Sequence, residues 1–103
     1  MIMVGEKYRL RRLDDKNIVI ERGGIQEEGK QAGEWVSGSI SYYATFALAV
    51  NALVTRLTNE AVDEISCVED LKKLSLRLEE IRVELMQAVA EIKNGKAEEK
   101  VEV

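Results

Sequence analysis

The sequence predicts an α+β fold: an N-terminal three-stranded antiparallel sheet (a hairpin plus one strand) followed by two antiparallel helices, the second long. Apolar and polar residues alternate with period two in the N-terminal part, as in strands with one buried face. In the second half, apolar residues recur with helical spacing, and the chain contains no proline to interrupt them. A chain of 103 residues is expected to form a single domain.

The sheet is expected to be a β-meander over residues 6–41 that begins with a hairpin. Its first two strands are predicted at residues 7–13 and 17–22, around an Asp-Asp-Lys-Asn turn whose side chains readily bond their own backbone. Period two then places Arg9 and Arg11 on the same face of the first strand.

A glycine-containing loop and a third strand complete the predicted sheet. Residues 23–33 include four glycines, which favours a plain flexible connection over a binding loop. The third strand is predicted at residues 34–41, with Val36 and Ile40 on one face and Trp35 on the other.

Two helices account for the second half of the chain. Helix one is predicted at residues 44–60, with Thr45 as N-cap, and its alanine- and leucine-rich sequence indicates a buried position. Helix two is predicted at residues 66–94, with Ser66 as N-cap. The charged segment 95–103 is expected to be a frayed tail.

Helix two carries a regular apolar seam with heptad spacing. The seam consists of Leu71, Leu74, Leu78, Ile81, Leu85, Ala88 and Ile92. A parallel two-stranded coiled coil is excluded, because Arg77 and Arg82 would face each other and repel. The seam then packs either on helix one within one subunit or on another copy. Leu76 and Val83 form a second stripe, which favours a homo-oligomer, a dimer or higher. The predicted oligomer interface is Leu71, Leu74, Leu78, Ile81, Leu85 and Ile92.

The residue inventory argues against an enzyme. The chain has no histidine, which excludes Ser-His-Asp and Cys-His catalysis and histidine metal sites. Its single cysteine, Cys67, excludes an intrachain disulfide and a cysteine-based zinc site, and is expected to fill space in the core. We therefore expect no catalytic residue, no metal and no cofactor. No apolar run reaches the length of a membrane span, so a cytoplasmic protein without a membrane partner is expected.

Charge is distributed unevenly along the chain. Residues 1–22 hold six basic and four acidic residues, whereas the remainder holds nine basic and fifteen acidic residues, for a net charge of −4. An acidic protein is not expected to bind nucleic acid along an extended track. A local site for an anion is compatible with the pattern. Its candidate residues are Arg9, Arg11, Arg12 and Arg56 for phosphate contact, and Trp35, Tyr42 and Tyr43 for stacking on a base. The alternative is that the arginines form a solvated strand face and the aromatic residues belong to the core.

Three segments carry a resemblance to known proteins. They are the hairpin sequence Tyr-Arg-Leu-Arg-Arg-Leu-Asp-Asp-Lys-Asn-Ile-Val-Ile-Glu at residues 8–21, the glycine-containing loop, and Tyr42-Tyr43-Ala44-Thr45 before the alanine- and leucine-rich helix. Over roughly residues 7–58 the chain resembles small phage and prophage accessory proteins. The resemblance carries no catalytic motif. It implies a non-enzymatic protein that antagonises host defence by binding, in the cytoplasm of the host cell.

Two partners are consistent with that function. One is a phosphate-bearing nucleotide signal, sequestered by the arginine and aromatic residues. The other is a host immune protein, such as a CRISPR nuclease, blocked by an acidic helical face that mimics nucleic acid. The alternatives from other classes are a small nucleic-acid-binding regulator and a purely structural oligomerisation module.

Overall fold

Five strands form one sheet, and two helices pack on one of its faces. The computed structural model describes residues 1–62, 67–95 and 98–103. In chain order the elements are β1 (Ile2–Val4), β2 (Tyr8–Arg12), β3 (Ile18–Ile25), β4 (Trp35–Tyr43), α1 (Phe46–Ala61), α2 (Val68–Lys93) and β5 (Glu99–Val101). The strand order is β4-β3-β2-β1-β5, and the pairing is antiparallel except between β1 and β5. The α+β class is therefore confirmed.

The predicted hairpin is confirmed as β2 and β3. Leu10 pairs with Ile20, and both side chains are buried under the helices. The turn between the strands is held by the Asp14 carboxylate, which accepts hydrogen bonds from the backbone nitrogens of Lys16 and Asn17 at 2.8 and 2.9 Å. Asp is favoured in such turns because its short side chain can accept hydrogen bonds from nearby backbone N–H groups.

The predicted three strands are too few, because both ends of the chain join the sheet. The segment expected to be a frayed tail forms β5, in which Glu99 donates its backbone N–H to the Met1 carbonyl at 2.9 Å. Val101 is buried in the same core as Ile2 and Val4. Three-residue strands are too short to show a period, so their place in the sheet depends on this tertiary contact.

A β-bulge changes the faces of β4. The register between β3 and β4 shifts at Arg22/Gly23: Arg22 pairs with Ser39 and Gly23 with Ser37, so Gly38 is an extra residue. The extra residue reverses the alternation of side chains along the strand. As a result Trp35 lies on the same side as Ile40, and the predicted opposition of these two residues is wrong.

Both helices lie close to their predicted positions. Thr45 is the N-cap of α1, and its hydroxyl accepts a hydrogen bond from the Leu48 N–H at 3.2 Å, as predicted. The predicted N-cap Ser66 lies outside the described residues, and Cys67 occupies the N-cap position of α2 without a side-chain bond. Cys67 is exposed, so its predicted role as core filler is wrong.

The seam of α2 packs mainly inside the subunit. Ile81 and Leu85 are buried against Val50 and Leu53 of α1 in the core that also covers the sheet. This part of the seam therefore packs on helix one within the subunit, which is the alternative to an interface with another copy. Only Leu71, at its N-terminal end, is half exposed. Within the described residues, neither helix combines the length and apolarity needed to cross a membrane.

Candidate binding surface

The candidate surface is the open face of the sheet, which we define as the face turned away from the helices. Strand register assigns a set of side chains to it, because positions that pair across strands point to the same side. They are Met3, Arg9, Arg11, Val19, Glu21, Ile25, Ile40, Tyr42 and Lys100, with Trp35 joining them beyond the bulge. The open face therefore combines aromatic and apolar side chains with a small group of charges.

A buried carboxylate lies at the centre of these charges. Glu21 is only 1% exposed, although it points away from the helices. Its Oε2 lies 2.7 Å from Nη2 of Arg9, which is directly opposite on β2, and its Oε1 accepts a hydrogen bond from Nε of Arg11. We call Arg9, Arg11 and Glu21 the Glu21 cluster. One carboxylate thus holds two guanidinium groups in fixed orientations.

The cluster keeps Glu21 ionised. Burial by itself raises the pKa of this carboxyl group, because it disfavours the charged form. Hydrogen bonds from Arg9 and Arg11 stabilise the carboxylate and more than offset burial, so that the pKa lies below its ordinary value. At neutral pH two positive charges then share one negative charge, and the cluster retains one excess positive charge.

The two aromatic residues of the open face differ in their freedom. The guanidinium carbon of Arg9 lies 4.6 Å from the centroid of the Trp35 ring, a cation–π contact. Trp35 also donates its indole N–H to the Glu6 carbonyl at 2.9 Å, so the ring is held at one face and at its N–H edge. Tyr42 is 60% exposed and Ile40 is 44% exposed. Together with Ile25, which pairs with Trp35 and is 59% exposed, they form the accessible part of the surface.

The seven predicted ligand-binding residues do not converge in one subunit. Arg9, Arg11, Trp35 and Tyr42 lie on the open face. The other three, Arg12, Tyr43 and Arg56, lie on the helix side of the sheet.

Each of these three residues has partners on that side. Arg56 donates from Nη2 to the Ser41 hydroxyl at 2.6 Å and to the Tyr43 hydroxyl at 3.4 Å. Arg12 lies over the Phe46 ring, 5.5 Å from its centroid. The split follows from period two, since Arg12 shares the parity of buried Leu10.

Sequence reasoning missed Glu21 as a member of the site. The sequence did contain a signal for it. With the turn centred on residues 14–17, Glu21 lies in the second hairpin strand directly opposite Arg9. Cross-strand neighbours of opposite charge stabilise a pair of strands. The burial of the carboxylate could not be inferred, because it depends on the covering side chains.

A second polar group lies at the helix side of the sheet. The Tyr8 hydroxyl donates to Oε1 of Glu60 on α1, and Nη2 of Arg22 lies 3.9 Å from the same oxygen. Burial, followed by the hydrogen bond to Glu60, raises the pKa of Tyr8, so the phenol is a donor at neutral pH. The group joins α1 to the sheet, and it borders a cleft of about 320 Å³ that is also lined by Leu57 and Val103.

Several clefts formed by described residues lie away from the predicted arginine site. One borders Tyr8 and Glu60, and others lie between α1 and α2 and beside β5. None of these is lined by Arg9, Arg11 or Tyr42. Among the described residues, no group of three or more histidine, cysteine, aspartate or glutamate side chains is arranged to hold a metal ion.

No protein-family model matches this chain, and no curated protein or solved structure matches it either.

Proposed function

We propose that this chain is a non-enzymatic binding protein that attaches to a partner protein through the open face of its sheet. The observation that carries the proposal is the exposure of Tyr42 and Ile40 beside two arginines already held in place by Glu21. The proposal uses four of the seven predicted arginine and aromatic residues, and it places the partner on the sheet instead of on an acidic helical face.

The composition of the open face supports a protein partner. Tyrosine, tryptophan, methionine and arginine are enriched at the centres of protein interfaces, whereas lysine and glutamate are depleted there. The open face offers Tyr42, Trp35, Met3 and the Glu21 cluster. Because Arg9 and Arg11 are ordered before binding, little side-chain entropy is lost when a partner covers them.

Charge indicates which surface of a partner fits. The Glu21 cluster retains one excess positive charge, which favours an acidic or polar groove with an apolar centre. The setting follows from the resemblance to phage accessory proteins: the partner is a host immune protein, and the protein acts in the cytoplasm of the host. Antagonism then consists of occupying a surface that the immune protein needs.

Phage plating tests this function in its proposed setting. The chain is expressed in hosts that each carry one defence system, including a CRISPR nuclease directed against the challenging phage. We expect the wild-type chain to restore plaques on at least one host. The double variant Ile40→Ala, Tyr42→Ala should lose this effect, since exposed interface anchors typically contribute about 2 kcal/mol or more each.

A matched control removes apolar surface elsewhere. Leu76 and Val83 on α2 are 68% and 47% exposed, and the double variant Leu76→Ala, Val83→Ala should restore plaques as the wild type does. If the α2 variant fails to restore plaques while the sheet variant still restores them, the binding surface lies on α2 and not on the sheet. Failure of the wild type on every host contradicts the proposed antagonism.

A nucleotide ligand is the second candidate, favoured by the excess positive charge of the Glu21 cluster and by the exposed ring of Tyr42. Register places Arg11 and Tyr42 on either side of Val19, about 10 Å apart at the backbone, a span that a nucleotide can bridge. A thermal-shift panel of cyclic and linear nucleotides tests it. A rise in Tm with the wild type that is absent with Tyr42→Ala would favour this candidate over a protein partner.

A further inference from the structure

The β4 strand ends the sheet on one side and has no neighbour there among the described residues. It is nine residues long, Trp-Val-Ser-Gly-Ser-Ile-Ser-Tyr-Tyr, and contains no charged residue and no proline. Monomeric proteins usually protect such an edge by charge, by proline or by shortness. The opposite edge, β5, is only three residues long. The unprotected edge of β4 therefore needs an explanation.

Two backbone hydrogen bonds of the hairpin determine the direction of the backbone groups of β4. Gly23 donates to the Lys7 carbonyl at 2.9 Å, and Leu13 donates to the Asn17 carbonyl at 2.9 Å, which shows that odd-numbered residues of β3 bond towards β2. Even-numbered residues of β3 consequently bond towards β4, because the direction alternates along a strand. Ser41, which pairs with Ile20, points its backbone groups inwards.

The backbone groups of Ile40 and Tyr42 must then point outwards, away from β3. Their side chains are also exposed on the open face, by 44% and 60%. An outward-pointing row of N–H and C=O groups with apolar side chains beside it is complementary to another extended strand. Since the row is uncharged, a second copy of the same strand meets no like charge on it.

We propose that two copies of this chain pair through β4, antiparallel and with the two-fold axis at Ile40, to form one continuous ten-stranded sheet. Ile40 of one copy then lies opposite Ile40 of the other and exchanges two backbone hydrogen bonds with it. The pairing does not depend on the proposed binding function, because it is formed by backbone groups at the edge of the sheet and adds no layer over the open face.

The position of the two-fold axis follows from the side chains on the helix side of β4. An axis at Ser41 brings together two Arg56 guanidinium groups, each 2.6 Å from its own Ser41 hydroxyl, and like charges repel. An axis at Ile40 separates them. It also places Tyr42 opposite Gly38 of the second copy, and an aromatic ring can cover a glycine across an edge.

Two proline variants test the pairing. Ile40→Pro removes an outward-pointing N–H and should leave the ladder to β3 intact, as prolines on edge strands do. Ser41→Pro removes an inward-pointing N–H and should destabilise the subunit. By sedimentation equilibrium we expect a dimer of wild-type mass, twice 11.6 kDa, and a folded monomer for Ile40→Pro.

Clear results would overturn the proposal. One is a wild-type chain that remains monomeric at about 100 μM, a concentration at which dimerisation with a micromolar Kd is nearly complete. The other is a dimer that persists in Ile40→Pro. Loss of the dimer in Leu76→Ser, Val83→Ser with retention in Ile40→Pro would assign the interface to α2 instead. Because these measurements need no ligand or host protein, they separate this proposal from the proposed function.

Disulfide cross-linking tests the axis and remains informative if a proline variant fails to fold. In a Cys67→Ser background, Ile40→Cys should give a covalent dimer on mild oxidation, since directly opposed Cα atoms lie about 5.5 Å apart. Ser41→Cys is the matched control and should give no covalent dimer after the same oxidation, when both variants are analysed by non-reducing electrophoresis. A cross-link through Ser41→Cys alone would refute the axis at Ile40, and no cross-link at either position would refute the pairing.

Discussion

At the scale of single residues, Glu21 shows how charge and burial combine in this protein. The carboxylate is 1% exposed on a face that no helix covers, and it is tolerated there because Arg9 and Arg11 both donate to it. Removing one partner of such a group leaves charges without compensation, which costs more than the intact pair contributes. The stability of the open face therefore depends on a residue that sequence reasoning had left out of the site.

The replacement Glu21→Gln should lower the free energy of unfolding at pH 7 by about 1–2 kcal/mol. Burial raises the pKa of Glu21, but the hydrogen bonds from Arg9 and Arg11 more than offset it and hold the pKa below its ordinary value in the folded protein. The contribution of the carboxylate is therefore complete above the ordinary pKa of glutamate and is lost as pH falls through the lower folded value. Urea titrations from pH 7 to pH 3 should show the two proteins converging as the pH falls. The control is Glu79→Gln, whose carboxylate is 70% exposed and 3.9 Å from Arg82. A Glu21→Gln curve that parallels wild type throughout contradicts the prediction.

Gly23 lies where the neighbouring backbone leaves no room for a side chain. A Cβ atom there would lie 2.0 Å from the Val36 carbonyl oxygen across the bulge. We expect Gly23→Ala to destabilise the protein by about 2 kcal/mol, since the backbone of β4 must move. Gly24→Ala is the matched control, because nothing lies within 4 Å of its added Cβ. Equal Tm values for the two variants would show that the bulge is not tightly packed.

At the scale of elements, β5 is the least expected part of the fold. It looks like a charged tail in sequence, but Val101 is 3% exposed and Gly5 donates its N–H to the Val101 carbonyl at 2.8 Å. Truncation after residue 98 should lower the Tm by several degrees, because it uncovers the β1 edge and part of the core. The replacement Val103→Ala, at a 54% exposed position, should have a much smaller effect. Hydrogen exchange at Ile2–Val4 would report the same loss locally, and unchanged protection there would contradict the role assigned to β5.

At the scale of the whole molecule, the layers leave two kinds of surface exposed. The helices cover one face of the sheet, while the open face and the β4 edge remain accessible. The seam of α2 packs mainly within the subunit, and the proposed self-association uses a strand edge instead. This arrangement places an interface for a second copy beside the surface proposed for a partner protein.

Association through β4 should make stability depend on protein concentration. For a dimer that unfolds to monomers, each tenfold increase in concentration stabilises the folded state by about 1.4 kcal/mol. The Tm of the wild type should therefore rise between about 5 and 500 μM protein, a range that brackets a micromolar Kd. The Tm of Ile40→Pro should stay constant over the same series in a calorimeter. A constant Tm for the wild type would oppose the dimer.

Local patterns determined much of the fold and part of the site. The hairpin, the cap at Thr45 and the two helices follow from alternation, turn chemistry and helical spacing, all of which act between residues close in sequence. The shared face of Arg9 and Arg11 follows in the same way.

Only the tertiary structure decided the remaining features, because each depends on residues far apart in the chain. Val101 becomes part of a strand when it pairs beside Val4, and Trp35 changes face because a bulge forms against Gly23. Glu21 becomes buried only when both arginines cover it. The amino-acid sequence alone therefore predicted which segments fold locally and which basic residues share a strand face. Long-range pairing decided the number of strands, the side of each aromatic residue and the edge that is left open.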